Sequence, residues 1–146
     1  MMKENKGKLI ISSLLIQAPM FFGILMWNQL PDTMTIHWGV EGTADGFGTK
    51  IFAVTMVPIL LLLTHWLCLY FTGRDHGNKG QNRKVTGMLF WIMPILSICT
   101  SSLIYAAAFG WEINPAVFVI PMCGILFIFI GNYMPKCKQN STIGIK

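Results

Sequence analysis

The chain has 146 residues, of which 53% are hydrophobic and only 12% charged, whereas a soluble globular domain is about a quarter charged. A single soluble core of this size cannot hide so much apolar surface, so the composition excludes an ordinary soluble domain and makes lipid the solvent. The formal net charge of +5 would suit a nucleic-acid partner, but the placement of the basic residues gives them another role.

The first residues, MMKENKGK, are basic and polar. An apolar stretch follows, and a helix is expected over about 9–29, long enough to cross a bilayer at about 20 residues per crossing. A signal peptide has a shorter apolar core of about 7–15 residues and a small-residue cleavage site, so this stretch reads as an uncleaved helix. A polar, glycine-rich island then occupies residues 30–50, LPDTMTIHWGVEGTADGFGTK. Further spans are expected at about 51–71, 88–109 and 115–134, the last with Pro115 placed to start a helix. Between the second and third spans lies a short polar loop, 72–87, and a polar tail begins at residue 135. No repeat, low-complexity tract or soluble domain interrupts this, so residues 1–146 read as a single membrane domain, an all-α bundle of four transmembrane helices.

The charges orient that frame. Lys3, Lys6 and Lys8, then Arg74, Lys79, Arg83 and Lys84, then Lys136, Lys138 and Lys146 all fall on one side of a four-helix topology, ten of the eleven basic residues. The opposite side has Lys50 with Asp32, Glu41, Asp45 and Glu112. Positive charge marks the cytoplasmic side, so both termini are expected inside and the 30–50 loop outside. The basic charge is then topological, and nucleic acid has no part.

Each span contains a proline: Pro19, Pro58, Pro94 and Pro121. Each proline frees a carbonyl, which neighbouring helices or hydroxyl side chains must satisfy. The third span has small residues four apart at Ser97 and Ser101, and at Ser102, Ala106 and Gly110, a spacing that lets backbones approach closely and puts this helix at the centre. Cys68, Cys99, Cys123 and Cys137 form no CxxC pair and read as small apolar packing residues.

Intramembrane polar residues are Gln17, His65 and Asn132. An ionisable group in a span is a functional candidate by default, so His65 reads either as part of a proton or ion path or as a neutral imidazole bonding Gln17 or a serine of the third helix. The lack of a second ionisable residue at matching depth favours the neutral reading. The tryptophans lie mostly near span ends, as interfacial anchors do.

In the outer loop His37, Glu41 and Asp45 are four apart, but Gly39 and Gly42 argue against the helix that would align them on a metal. The loop reads as a folded, turn-rich cap. In it Trp38 and Phe47 would tuck against the membrane surface, Asp45 would bond nearby backbone amides, and Lys50 would pair with Asp45. Its exposed groups, Asp32, His37, Trp38, Glu41, Asp45 and Lys50, are the candidate contacts for a partner outside. No GxSxG, HExxH, phosphate-binding loop or paired-carboxylate motif appears, so no enzyme activity, metal or cofactor is expected.

The loop pattern LPxxxxxHWGxxGxxDGFGxK resembles the first loop of the SdpI family of bacterial membrane immunity proteins. The end of the chain, GNYMPKCKQNSTIGIK, is similar to a junction of the same family, GNxxPKxxxNxxxGIR/K. In the family that junction usually continues into a TPWTL-like segment and further membrane helices, so the chain is expected to correspond to the N-terminal four-helix part of a longer member, as a natural short form or a truncation. The resemblance implies a multi-pass protein of the bacterial plasma membrane that gives immunity to a secreted antimicrobial peptide, signals its presence by holding a repressor at the membrane, or both. The loop would meet the toxin outside, and the 72–87 loop and the tail would meet the repressor inside. The rival readings are a small accessory subunit of a transporter or receptor, and an ion or proton pathway around His65.

Overall fold

The structure, a computed structural model, describes residues 5–74 and 83–133. Helix α1 spans Lys6–Leu25 and is followed by a single 3-10 turn, Trp27–Gln29. Strands β1 (Thr33–Trp38) and β2 (Ala44–Thr49) form an antiparallel hairpin. Helices α2 (Lys50–Arg74), α3 (Arg83–Ala108) and α4 (Pro115–Tyr133) complete the order. All four helices are long and apolar enough to cross a membrane.

The helix starts follow from local chemistry. Phe52 N–H donates to Thr49 Oγ1 at 3.4 Å, capping α2 directly out of the hairpin. Asn114 Oδ1 accepts from Ala116 N–H at 3.0 Å, with Pro115 in the first helical position, where its missing N–H costs nothing.

Helices α1, α2 and α3 pack on one another, and side-chain hydrogen bonds to backbone tie them. Ser97 Oγ donates to the Ile16 carbonyl at 2.8 Å, and Tyr105 Oη to the Pro19 carbonyl at 2.6 Å. Gln17 Nε2 donates to the Pro58 carbonyl at 2.9 Å. These bonds use the carbonyls of Pro19 and Pro58 themselves, whereas the carbonyls that the two prolines leave free are those four residues earlier, of Leu15 and Val54. Closest approach falls at Gly23, where a Cβ would collide with Tyr105 Oη and lie 2.7 Å from Val54 Cγ1. Only glycine lets α1 meet α2 and α3 together at that level.

The all-α expectation fails over 30–50, which holds a β-hairpin. The stretch TMTIHW is rich in β-branched and aromatic residues, and Met34 is buried between exposed Thr33 and half-buried Thr35. The hairpin extends the buried core: Leu30 and Met34 join Ala53, Val54, Ile104 and Tyr105, with Ile36, Trp38 and Ala108 packed around them.

Helix α4 differs from the other three. Only 6% of its most apolar stretch is buried, against 28% for α3. An apolar cleft of about 870 Å³ separates it from α3, with Trp91, Ile95 and Leu96 on one wall and Val117, Pro121 and Ile125 on the other. Residues 75–82 of the polar loop and the tail from 134 on, with Cys137, Lys136, Lys138 and Lys146, lie outside the described residues.

Candidate functional site: the hairpin cap

The candidate outer-loop residues sit on or beside the hairpin. Its flanking pairs, Thr33 with Thr49, Met34 with Gly48 and Thr35 with Phe47, are regular. Two irregularities then flank His37, which faces Gly46, before Trp38 pairs with Ala44. Such irregularities re-aim side chains. Here His37 lies across Gly46, where a Cβ would come within 2.7 Å of His37 Cβ, so a larger residue at 46 would displace the imidazole. His37 Nδ1 meets Asp45 Oδ1 at 2.6 Å, and both side chains are at least half exposed. The carboxylate holds the ring through Nδ1–H and leaves Nε2 as the exposed nitrogen.

Lys50 closes the base of the hairpin. Its backbone N–H donates to the Asp32 carbonyl at 2.8 Å. Its ammonium lies 3.1 Å from Asp32 Oδ1, donates to the Trp27 carbonyl at 3.2 Å and sits 5.3 Å from the centre of the Trp27 ring. The Lys50 side chain is only 12% exposed, so the cation is held along the indole, as amphipathic lysines favour. This corrects the expected Lys50–Asp45 pairing: Asp32 takes the lysine and His37 takes Asp45. Asp45 thus bonds a side chain across the hairpin, where backbone amides were expected. At the turn, Gly42 has φ +78 and lies against Asn114, which couples the hairpin tip to the start of α4.

Of the other two residues expected at the membrane surface, Trp38 packs against the protein core and Phe47 is 61% exposed. Glu41 is exposed in the turn and joins neither pair. Trp27 and Asn114 belong to the cap although the loop pattern does not include them.

The intramembrane polar residues form separate ties. Ser12 Oγ donates to the Leu9 carbonyl at 3.1 Å and lies 2.9 Å from His65 Nε2. With the hydroxyl proton so used, Nε2 carries the hydrogen and donates to Ser12, leaving Nδ1 as a buried acceptor without a partner among the described residues. His65 therefore bonds α1, and neither Gln17 nor a serine of α3, as the sequence suggested. Gln17 bonds α2 instead, and Asn132 is exposed on α4.

Residues 14–62, which run from α1 through the whole hairpin into α2, match the family described as a domain of unknown function (DUF1648). The chain is also 23% identical over 146 residues to the immunity protein SdpI of Bacillus subtilis (strain 168), an alignment covering 99% of this chain. The chain spans 66% of that relative's length, slightly under two thirds. No solved structure matches the chain. Four helices able to span a membrane, together with the similarity to SdpI, support a multi-pass membrane protein.

Proposed function

We propose that this chain is a non-enzymatic immunity protein of the bacterial plasma membrane. Both termini face the cytoplasm, and the hairpin cap faces outward to meet a secreted antimicrobial peptide. The observation that carries this reading is the cap itself: a polar hairpin, inside the stretch matched by the family model, anchored by Leu30, Met34 and Trp38 and displaying the His37–Asp45 pair. Asp32, Glu41 and Asp45 give it an acidic surface that attracts a cationic peptide and repels an anionic one. A signalling role through a repressor held at the cytoplasmic face follows from the same family likeness, with the 72–87 loop and the tail as its surface.

The test is protection of a bacterium sensitive to a secreted peptide toxin and expressing this protein. His37→Ala, Trp38→Ala and Asp45→Ala each lower survival, and Lys50→Ala lowers it less, with every variant present in the membrane at the parental level. Parental protection by all three would reduce the cap to a structural lid.

A further inference from the structure

The two strands of the hairpin are covered differently. Strand β1 packs against α2 and α3, whereas β2 packs against α2, the helix it runs into. The ladder fixes which backbone groups turn outward. Lys50 N–H donates to the Asp32 carbonyl, so residues 32 and 50 form a hydrogen-bonded pair. Bonded and non-bonded pairs alternate in an antiparallel ladder, which makes Thr33–Thr49 and Thr35–Phe47 non-bonded pairs. The N–H and C=O of Phe47 and the N–H of Thr49 therefore point off the outer edge of β2. The irregular pairing begins past Phe47, so this stretch of edge stays regular. The strand, ADGFGT, contains neither lysine nor proline, two of the residues that guard open edges against a further strand.

The side chains beside this edge select what can pair with it. Asp45, Phe47 and Thr49 are exposed, while Gly46 and Gly48 are half-buried. The outer face thus carries an aromatic ring 61% exposed and, two residues before it, a carboxylate 50% exposed. Asp45 accepts from His37 through Oδ1, and a carboxylate has acceptor capacity for more than one donor. Glu41 in the turn is exposed, and the Asp32 side chain at the base is fully so, whereas Lys50 is turned onto Trp27 and Asp32. Edge-to-edge pairing of two copies would bring two such acidic surfaces together, which charge repulsion opposes. An extended strand with an apolar residue and a basic residue two apart fits instead. Its backbone continues the sheet, its apolar side chain lies beside Phe47, and its basic side chain meets Asp45.

We propose that the open edge of β2 takes an extended cationic peptide segment as a third strand, bonded to the backbone at Phe47 and Thr49. This rests on the immunity reading for the arrival of a peptide from outside, and adds how the cap holds it.

The test uses the full chain in phosphatidylcholine nanodiscs and the fluorescent synthetic heptapeptide TKTVTKT, whose valine and lysines share one face when extended. It binds parental discs about tenfold more tightly than empty discs, a difference of about 1.4 kcal/mol. The same peptide N-methylated at its valine and lysines, which removes the donors of the pairing edge, gains nothing over empty discs, and neither does TETVTET. Phe47→Pro removes most of the difference, because the lost N–H faces off the edge and the ladder to β1 stays whole. Phe47→Thr keeps that N–H and loses the ring, at a cost of about threefold. Undiminished binding of the methylated peptide overturns the proposal, whatever Phe47→Pro does to folding. So does equal binding of TETVTET. If Phe47→Pro changes the oligomeric state of the chain and leaves peptide binding unaltered, the edge joins two copies and the proposal falls. If strand addition fails while the His37, Trp38 and Asp45 variants still lower protection, the immunity reading stands without it. If those variants protect fully as well, both fall.

Discussion

The hairpin and α4 are treated oppositely by the fold. The hairpin is polar, glycine-rich and on the surface, yet its inner residues complete the main buried cluster. Helix α4 has no charged residue between 115 and 132, yet little of it is buried. In water the ranking would be reversed, because apolar surface would be driven together. In lipid, apolar character alone gives no reason for two helices to associate, so close packing and hydrogen bonds decide. Helices α1, α2 and α3 have them, in Gly23, Ser97, Tyr105 and Gln17. On α4, a Cβ at Gly124 or at Gly131 would meet nothing within 4 Å.

Substitutions that exchange these properties should break the contrast. The largest effect is expected at Gly23, where leucine would collide with Tyr105 and Val54 and cost more than about 3 kcal/mol through overpacking. Loss of the folded fraction in a denaturant titration in detergent would register it, and parental stability would contradict the assigned close approach. Next is Met34→Ala, which empties a site only 1% exposed and should cost about 2–3 kcal/mol. Its specific sign is faster proteolysis at the hairpin, with α1–α3 otherwise retained. Lys50→Ala should cost about 1 kcal/mol, from the lost indole contact and one ion pair with a fully exposed partner. Its effect should show as a small shift of the same midpoint. The smallest change, with the opposite sign, is expected for Gly124→Ala. A methyl group there meets open space and removes glycine's cost in a helix interior, at most about 1 kcal/mol of stabilisation.

Much of this was legible in the sequence, because length and apolarity define spans without knowledge of contacts. The four helices, the start at Pro115 and the inward placement of Ser97 and Ser101 follow that pattern. The hairpin was not legible as strand. The glycines of 39–48 read as turn punctuation, which hides the alternation in TMTIHW. The partners were legible only in part. Had a hairpin been assumed, extrapolation from Thr33–Thr49 and Thr35–Phe47 would bring His37 opposite Asp45; the irregularity slides His37 onto Gly46 and still leaves the two side chains in contact. Lys50 turned to Asp32 because the first residue of α2 faces back along the base of β1, a direction set by the strand-to-helix junction. His65 found Ser12 because α1 and α2 are adjacent at that depth, which helix periodicity alone does not reveal.

The central claim is that the cap stands on the outer side, where a secreted peptide arrives. Phe47 is the large apolar side chain of β2 and is mostly exposed, so a cysteine in its place stands open to solvent. In a chain whose native cysteines are changed to serine, Phe47→Cys should react with a membrane-impermeant maleimide in intact cells as fully as after lysis. Labelling only after lysis would put the hairpin in the cytoplasm and contradict the account.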